Sequence, residues 1–305
     1  MVRKITVSIL SVFMLYTLTG CWNNIDLSNM SLLSAYGIDK TEDGKIMISA
    51  QIIKTPSIKS SQPNSGGGGG GETKSFYLIS NTADSVFGAF HGLLTKINSR
   101  RIFLGSAQVI VFGEDIAKYG IQDYMDFILR DHKAQYKTDV IVAKNSTAKE
   151  ILNQEYELSK VPGEYIRDTL KNSKDNAFSR RLMLLDVAKG LVTEGRSLAI
   201  GTIEKTEEIT TTEGLAVFQK DKMIGWLDKY ETRGYMYITN RLKSSVVEIK
   251  DPVNPGKTVC VELKDFKSKI KIKPGKNNMP EADIKIKVLG NIGEQSNIHY
   301  KKVNM

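Results

Sequence analysis

The stretch TADSVFGAFHGLLTKINSRRIFLGSAQVIVF, residues 82–112, decides the fold class of this chain. In its first half apolar residues recur at helical spacing, and Asp84 stands near the start, where a negative charge suits the helix dipole. The apolar positions are Val86, Phe87, Phe90, Leu93, Leu94 and Ile97. Its second half, Arg101 to Phe112, is apolar enough to predict a buried strand. A helix that runs into a buried strand indicates an α/β unit.

Three strands are predicted on the amino-terminal side of this stretch. Leu32 to Ile38 and Lys45 to Ile53 are apolar runs, and the connector between them ends in Asp43-Gly44, a pair that favours hairpins. Phe76 to Ile79 is the third strand-like run. Residues 56–71 separate the second run from the third and contain six consecutive glycines. Such a segment is predicted to be a flexible, disordered loop.

The alternation of helices and strands continues as far as residue 203. The predicted elements are helices around Ile116 and from Ile121 to Leu129, a strand from Thr138 to Ala143, a helix from Met183 to Leu191 and a strand from Leu198 to Ile203. We therefore predict an amino-terminal α/β unit with a mixed sheet over residues 21–203.

A polar stretch over residues 204–212 suggests a boundary, and a second, mostly β unit is predicted over residues 212–305. The exception is Tyr230 to Leu242, which could be helical. The predicted strands are Gly214–Phe218, Met223–Leu227, Val246–Ile249, Val259–Leu263, Ile270–Ile272 and Ile284–Val288. An α/β unit followed by a mostly β unit makes the predicted fold class α+β.

The first 21 residues predict export and lipid attachment. Arg3 and Lys4 precede an apolar run from Ile5 to Leu18, which is the pattern of a secretory signal peptide over residues 1–20. Leu18-Thr19-Gly20-Cys21 looks like a bacterial lipobox, in which Cys21 receives a diacylglycerol thioether, cleavage follows Gly20 and the new amino terminus is acylated. Two or three acyl chains anchor a protein stably to a membrane. An ordinary cleaved signal or an uncleaved anchor helix is the alternative.

Charge narrows the choice of partners. Removal of residues 1–20 lowers the formal charge from +9 to +7 and leaves 285 of the 305 residues, enough for two core-forming units. For an exported lipoprotein the nearest anionic surface is the lipid headgroup layer. Nucleic acid is not an expected partner, because the chain has no RNP-like motif, zinc-finger spacing or recognition-helix signature. We interpret the Lys-rich stretches as solvated strand faces.

The sequence offers no catalytic, cofactor or metal motif. The three histidines, His91, His132 and His299, lie far apart and outside any metal-binding spacing. With Cys21 assigned to lipid, Cys260 has no partner for a disulfide, and we interpret it as a bystander thiol on a strand. Trp226 could be a ligand platform but is more often a core residue in such a hairpin. Asp and Glu residues are numerous, so a carboxylate pair stays open.

Three ordered stretches resemble the Ger(x)C family, the C-subunit lipoproteins of nutrient germinant receptors in endospore-forming bacteria. The first joins Cys21-Trp22, with Ile25 and Leu27, to Tyr36-Gly37-Ile38-Asp39-Lys40 and Gly44, and has Asn23 where the family usually has Asp. The second runs from Ser99 to Gly105 and continues at Val109–Gly113 and Phe127–Asp131. The third comprises Gly214–Phe218, Lys222, Gly225-Trp226-Leu227, Glu231–Gly234 and Gly290-Asn291-Ile292-Gly293-Glu294.

The resemblance implies a non-enzymatic subunit without a cofactor, held on the outer face of the spore inner membrane. Its implied partners are the polytopic A-type and B-type subunits of the same receptor, which couples nutrient sensing to germination. The resemblance does not say whether this subunit touches the nutrient. Family members usually continue beyond the segment at Gly290, so we expect the second unit to be incomplete at Met305. A substrate-binding lipoprotein of a membrane transporter is the alternative, and an exported hydrolase is a third reading.

Overall fold

The computed structural model describes Met1 and residues 3–8, 30–54, 74–97, 101–131, 134–156, 159–206, 210–251, 256–275 and 279–295. Of the predicted signal peptide, only Met1 and residues 3–8 are described. Cys21, the lipid attachment predicted there and the glycine-rich segment 56–71 lie outside the described residues.

Strands dominate the described residues. In chain order they are β1 (Met30–Lys40), β2 (Ile46–Ile53), β3 (Phe76–Ala83), β4 (Arg101–Phe103), β5 (Val109–Phe112), β6 (Asp139–Lys144), β7 (Leu182–Met183), β8 (Ala199–Lys205), β9 (Thr210–Thr211), β10 (Leu215–Gln219), β11 (Lys222–Leu227), β12 (Ser244–Lys250), β13 (Thr258–Pro274) and β14 (Pro280–Gln295). The helices are α1 (Val86–Leu94), α2 (Glu114–Tyr119), α3 (Gln122–Arg130), α4 (Ala148–Asn153), α5 (Pro162–Asn176), α6 (Leu184–Val192) and α7 (Lys229–Ile238).

The main sheet is mixed, as predicted. Its order is β11-β10-β8-β6-β5-β1-β2-β3, with β4 beside β1, β7 beside β6 and β9 beside β8. The four central strands β8, β6, β5 and β1 run parallel. Antiparallel hairpins close both ends: β1–β2–β3 on one side and β8–β10–β11 on the other. The β1–β2 hairpin turns at Gly44, where φ of 82° suits glycine.

Helices cover both faces of the main sheet, because its central strands bury apolar side chains on alternate sides. Ile110 and Phe112 belong to one core, with the buried residues of α1, α2, α3 and α6. Val109 and Val111 belong to the other core, beneath α4 and α5. This arrangement confirms the predicted α/β unit.

The single strand predicted from Arg101 to Phe112 is wrong. A 3-10 turn over Leu104–Ser106 divides it into β4 and β5, which both pair in parallel with β1. The Ser106 hydroxyl accepts the Leu33 N–H at 2.8 Å and lies 2.7 Å from the Phe103 carbonyl, which accepts its hydrogen bond. The polar side chain therefore replaces strand pairing at the break.

A second sheet, ordered β12-β13-β14, follows α7 and confirms the β-rich second part of the chain. The runs predicted separately at Val259–Leu263 and Ile270–Ile272 form one long strand, β13, with a register shift between Lys264 and Lys267. Asp265 supplies a positive φ of 51° within that irregularity. The hydrogen bonding of the main sheet runs across the boundary predicted at residues 204–212, because β10 pairs with β8.

Candidate functional site

The carboxyl ends of the parallel strands hold Asp39, which is 2% exposed at the end of β1. Its carboxylate accepts the N–H groups of Ala148 and Lys149 at 2.7 and 2.9 Å. Burial raises the pKa of Asp39 to about 6, although these two hydrogen bonds lower it. Gly113 leaves the room that Asp39 needs, since a Cβ there would lie 2.1 Å from Oδ1. Asp39 therefore fastens the start of α4 to the sheet.

A charged network joins Glu114 and Glu204 through Asn145. Asn145 donates its N–H to Glu114 at 2.7 Å and its side-chain amide to Glu204 at 2.6 Å. Lys118 pairs with Glu114 at 2.6 Å, and Lys144 pairs with Glu204 at 2.9 Å. Each carboxylate thus has its own lysine, and the network joins strand ends as a balanced set of charges.

Cys260 lies on β13 as predicted, half-buried and free. Burial raises the pKa of its thiol, and the nearby carboxylates Glu248 and Glu294 raise the pKa further. Because the thiolate is the reactive form of cysteine, this setting favours an inert thiol. The structure therefore supports the bystander interpretation.

Trp226 is half-buried and packs against the larger core, which favours its structural interpretation. His91 is exposed on α1, with its ring 6.2 Å from that of Phe87. His132 and His299 lie outside the described residues. Among the residues that the structure does describe, no group of three His, Cys, Asp or Glu side chains could hold a metal ion.

A basic cleft of about 560 Å³ lies between the segments that carry Arg180 and Arg196, the carboxyl end of α7, and β13. Three arginines line it: Arg180, Arg196 and Arg241. Arg180 is 7% exposed and donates to the Tyr235 hydroxyl at 2.9 Å and to the Ala199 carbonyl at 3.4 Å. No Asp or Glu is among the described residues that line the cleft. It is therefore an electropositive recess, and we treat it as the candidate binding site.

The surroundings of Arg180 in the cleft disfavour its charged form. Burial lowers the pKa of its guanidinium, and Arg241 and Arg196 lower it further, whereas the Tyr235 phenol and the Asp186 carboxylate act in the opposite direction. Like charges gathered in a recess without a facing carboxylate raise the local affinity for anions.

Local backbone features position the three arginines. α5 ends at Asn176 and is capped by Ala177, whose φ is 64°. The following segment passes close to β8 at Gly201, where a Cβ would lie 2.7 Å from the Arg180 carbonyl. α7 ends at Ile238; beyond its cap the φ of Asn240 is 56°, and the Arg241 N–H donates to the Met236 carbonyl at 3.1 Å. This is the pattern of a Schellman-type helix end, and it sets the direction of Arg241.

Sequence reasoning missed this cleft. Arg180, Arg196 and Arg241 belong to three separate segments, and no spacing in the chain links them. The one local signal was Asn240 after an amphipathic helix, which predicts a helix end but not a ligand site.

Two family models match the chain in sequence order and together cover nearly all of it. The spore germination protein N-terminal domain matches residues 23–205, and the spore germination B3/GerAC-like C-terminal domain matches residues 213–305. The class is thus that of spore germination proteins. Within it, the chain belongs to the Ger(x)C family.

Relatives in two Bacillus species align over most of the chain. Spore germination protein KC of Bacillus subtilis (strain 168) is 26% identical, over 95% of this chain and 75% of that protein. Spore germination protein YndF of the same strain is 25% identical, over 92% and 74%. Spore germination protein GerQC of Bacillus cereus is 22% identical, over 96% and 76%. The crystal structure of the GerBC protein is also similar, with a TM-score of 0.45 and 18% identity, over 88% of this chain and 75% of that one.

Proposed function

We propose that this chain is the lipid-anchored C subunit of a spore nutrient germinant receptor, which works by assembly with the polytopic A-type and B-type subunits. The main observation in support is that two spore germination family models match the chain, in order, at residues 23–205 and 213–305. The proposed role is coupling of nutrient sensing to germination through protein contacts, without a chemical step.

Membrane attachment is the first part of the proposal. The lipobox at Cys21 supports a thioether-linked lipid on the outer face of the spore inner membrane. Within the described residues, no helix is both long and apolar enough to cross a bilayer.

A basic surface supports the same location. Residues of β13 and β14 that share one face of their hairpin carry six exposed lysines, which we call the lysine face: Lys267, Lys269, Lys271, Lys273, Lys285 and Lys287. Asp283 and Glu281 lie on the same face, opposite Lys271 and Lys273, so that six positive and two negative charges leave a net +4. Basic residues near an anionic headgroup layer each add about 1 kcal/mol of attraction. The lysine face would therefore assist the lipid anchor in holding the chain at the membrane.

Substitution Cys21→Ala tests the anchor. The variant should leave the membrane fraction, because it lacks the residue that carries the lipid, and its mass should show no diacylglycerol. Fractionation with intact-mass spectrometry measures both. Cys260→Ala is the matched control and should remain in the membrane. A Cys21→Ala protein that stays membrane-bound and differs in mass from the parent by no more than the Cys-to-Ala change contradicts the anchor.

Partner assembly is tested by crosslinking and affinity recovery from isolated spore membranes, with mass spectrometry of all recovered proteins. We expect two polytopic receptor-like proteins to be recovered with the chain. Recovery of neither one, from membranes in which the chain itself is crosslinked, contradicts the receptor role.

A further inference from the structure

The arginine cleft has the chemistry of a ligand site. We propose that the cleft bounded by Arg180, Arg196 and Arg241 binds a small organic anion that bears a carboxylate or a phosphate. This inference is independent of the proposed receptor role, because it rests on side chains of the cleft alone.

The first step of the argument is the poor neutralisation of Arg180. A guanidinium has five N–H donors, and a buried charge is costly unless it is paired. The described residues supply Arg180 with two acceptors, both neutral, and one of them is at the long distance of 3.4 Å. The Tyr235 ring also lies 5.9 Å from the guanidinium carbon, which is a modest compensation for burial. The Asp186 carboxylate favours the charge of Arg180 electrostatically, but it does not line the cleft. An anion in the cleft would provide a counter-charge within hydrogen-bonding reach.

The second step is the convergence of further donors. Arg196 and Arg241 are exposed at the cleft, and neither forms an ion pair with a described carboxylate. The Ser268 hydroxyl lines the same cleft and has no hydrogen-bond partner among the described residues. Planar guanidinium groups match the paired oxygens of carboxylates and phosphates, so this donor set favours oxyanions.

The third step is the mixed lining, which favours an organic anion. Ile238 and Ile270 contribute apolar surface beside the arginines. The volume of about 560 Å³ falls within the range of small-molecule sites. By contrast, the void beside Tyr36 and Phe127 measures about 10 Å³, which is room for about one water.

The experiment measures binding of sodium phosphate and sodium benzoate to the full chain at fixed ionic strength, with sodium chloride as the reference. Thermal unfolding and titration calorimetry are the readouts. A ligand that binds only the folded state raises Tm as its concentration exceeds Kd. We expect at least one probe to raise Tm beyond chloride. Tighter binding of benzoate assigns a carboxylate with an apolar body, and tighter binding of phosphate assigns a phosphate.

Variants locate the site. Arg196→Gln and Arg241→Gln should each weaken binding about tenfold, which corresponds to about 1.4 kcal/mol. Both side chains are exposed, so their replacement should leave the fold intact. Arg101→Gln, an exposed arginine outside the cleft, is the matched control and should bind as the parent chain does.

Two results overturn the proposal. One is that neither probe stabilises the chain beyond chloride. The other is that Arg196→Gln and Arg241→Gln both bind with the affinity of the Arg101→Gln control.

Discussion

Asp39 is the residue at which burial and hydrogen bonding compete most clearly. Two backbone N–H groups at the start of α4 favour its ionised form, whereas burial disfavours it more strongly, and the pKa rises from 3.8 to about 6. A carboxyl group with a higher pKa in the folded chain binds its proton more tightly there than in the unfolded chain. Ionisation of Asp39 is therefore unfavourable for folding.

Asp39→Asn should remove a pH dependence of stability. The contribution of Asp39 is fully present below about pH 4 and is lost as the pH rises through about 6, because the folded chain must then give up a tightly held proton. The stability that Asp39 contributes at low pH and loses at high pH is at most about 3 kcal/mol, since one pKa unit equals about 1.4 kcal/mol. Chemical unfolding of both proteins from pH 4 to 7 should show the variant gaining stability relative to the parent.

Asp84→Asn is the control for that experiment, because the Asp84 side chain is exposed. Its stability relative to the parent should change little with pH. A constant difference between Asp39→Asn and the parent over the whole pH range contradicts the prediction.

The motif Gly37-Ile38-Asp39 was recognisable in the sequence, but its physical role was not. Asp39 holds α4, which begins more than a hundred residues later, and Gly37 lets α4 approach, since a Cβ there would lie 2.6 Å from that of Ala148. A local signal for α4 did exist. Thr147 and Glu150 form a capping box, the S/T-x-x-E pattern that marks a helix start.

At the scale of elements, the helices and strands with a strong hydrophobic periodicity could be predicted from the sequence, and those with a weak one could not. α1 and the β1–β2 hairpin follow directly from apolar spacing and the Asp43-Gly44 turn. α4 and α5 were not predicted. α4 has only six residues, and α5 is largely polar with Ile166 and Leu170 as its inward residues, so both depend on the sheet beneath them.

The lysine face of the β13–β14 hairpin places like charges opposite each other. Lys267 pairs with Lys287 and Lys269 pairs with Lys285, an arrangement that destabilises a hairpin. Lys285→Glu should create an opposite-charge pair with Lys269 and raise the free energy of unfolding by about 0.5 kcal/mol. If the face serves the membrane, the same change should weaken binding to anionic vesicles about thirtyfold, since it changes two charges at about 1 kcal/mol each.

Vesicle flotation with phosphatidylglycerol, in the Cys21→Ala background, measures this binding without the lipid anchor. Lys137→Glu makes the same charge change at an exposed site outside the lysine face and is the control. Equal losses in the two variants would mean that net charge, rather than this face, attracts the membrane.

At the scale of the whole molecule, the arginine cleft shows what sequence patterns cannot supply. Arg180 belongs to a segment that passes close to β8, Arg241 follows α7, and the far wall comes from β13. Hydrophobic spacing predicts each element separately, but the cleft depends on how α7 and β13 pack against the main sheet. The predicted lipid site at Cys21 is the opposite case, since its motif is local and complete in the sequence.

The packing that joins the two sheets can be tested at Phe266, which is 7% exposed on β13 and stacks on Tyr237 of α7 with ring centroids 5.2 Å apart. Phe266→Ala should cost about 3–5 kcal/mol, because it removes a large buried ring. The three-stranded sheet offers few other buried side chains, so the loss should fall on it and leave the main sheet folded. Calorimetry should then show a new transition below that of the main sheet, and proteolysis should cleave β12–β14 first.

Tyr77→Ala, which removes an exposed aromatic side chain on β3, is the control and should leave a single transition. A uniform shift of one transition in Phe266→Ala would instead show that the two sheets unfold as one cooperative unit, with the arginine cleft inside it.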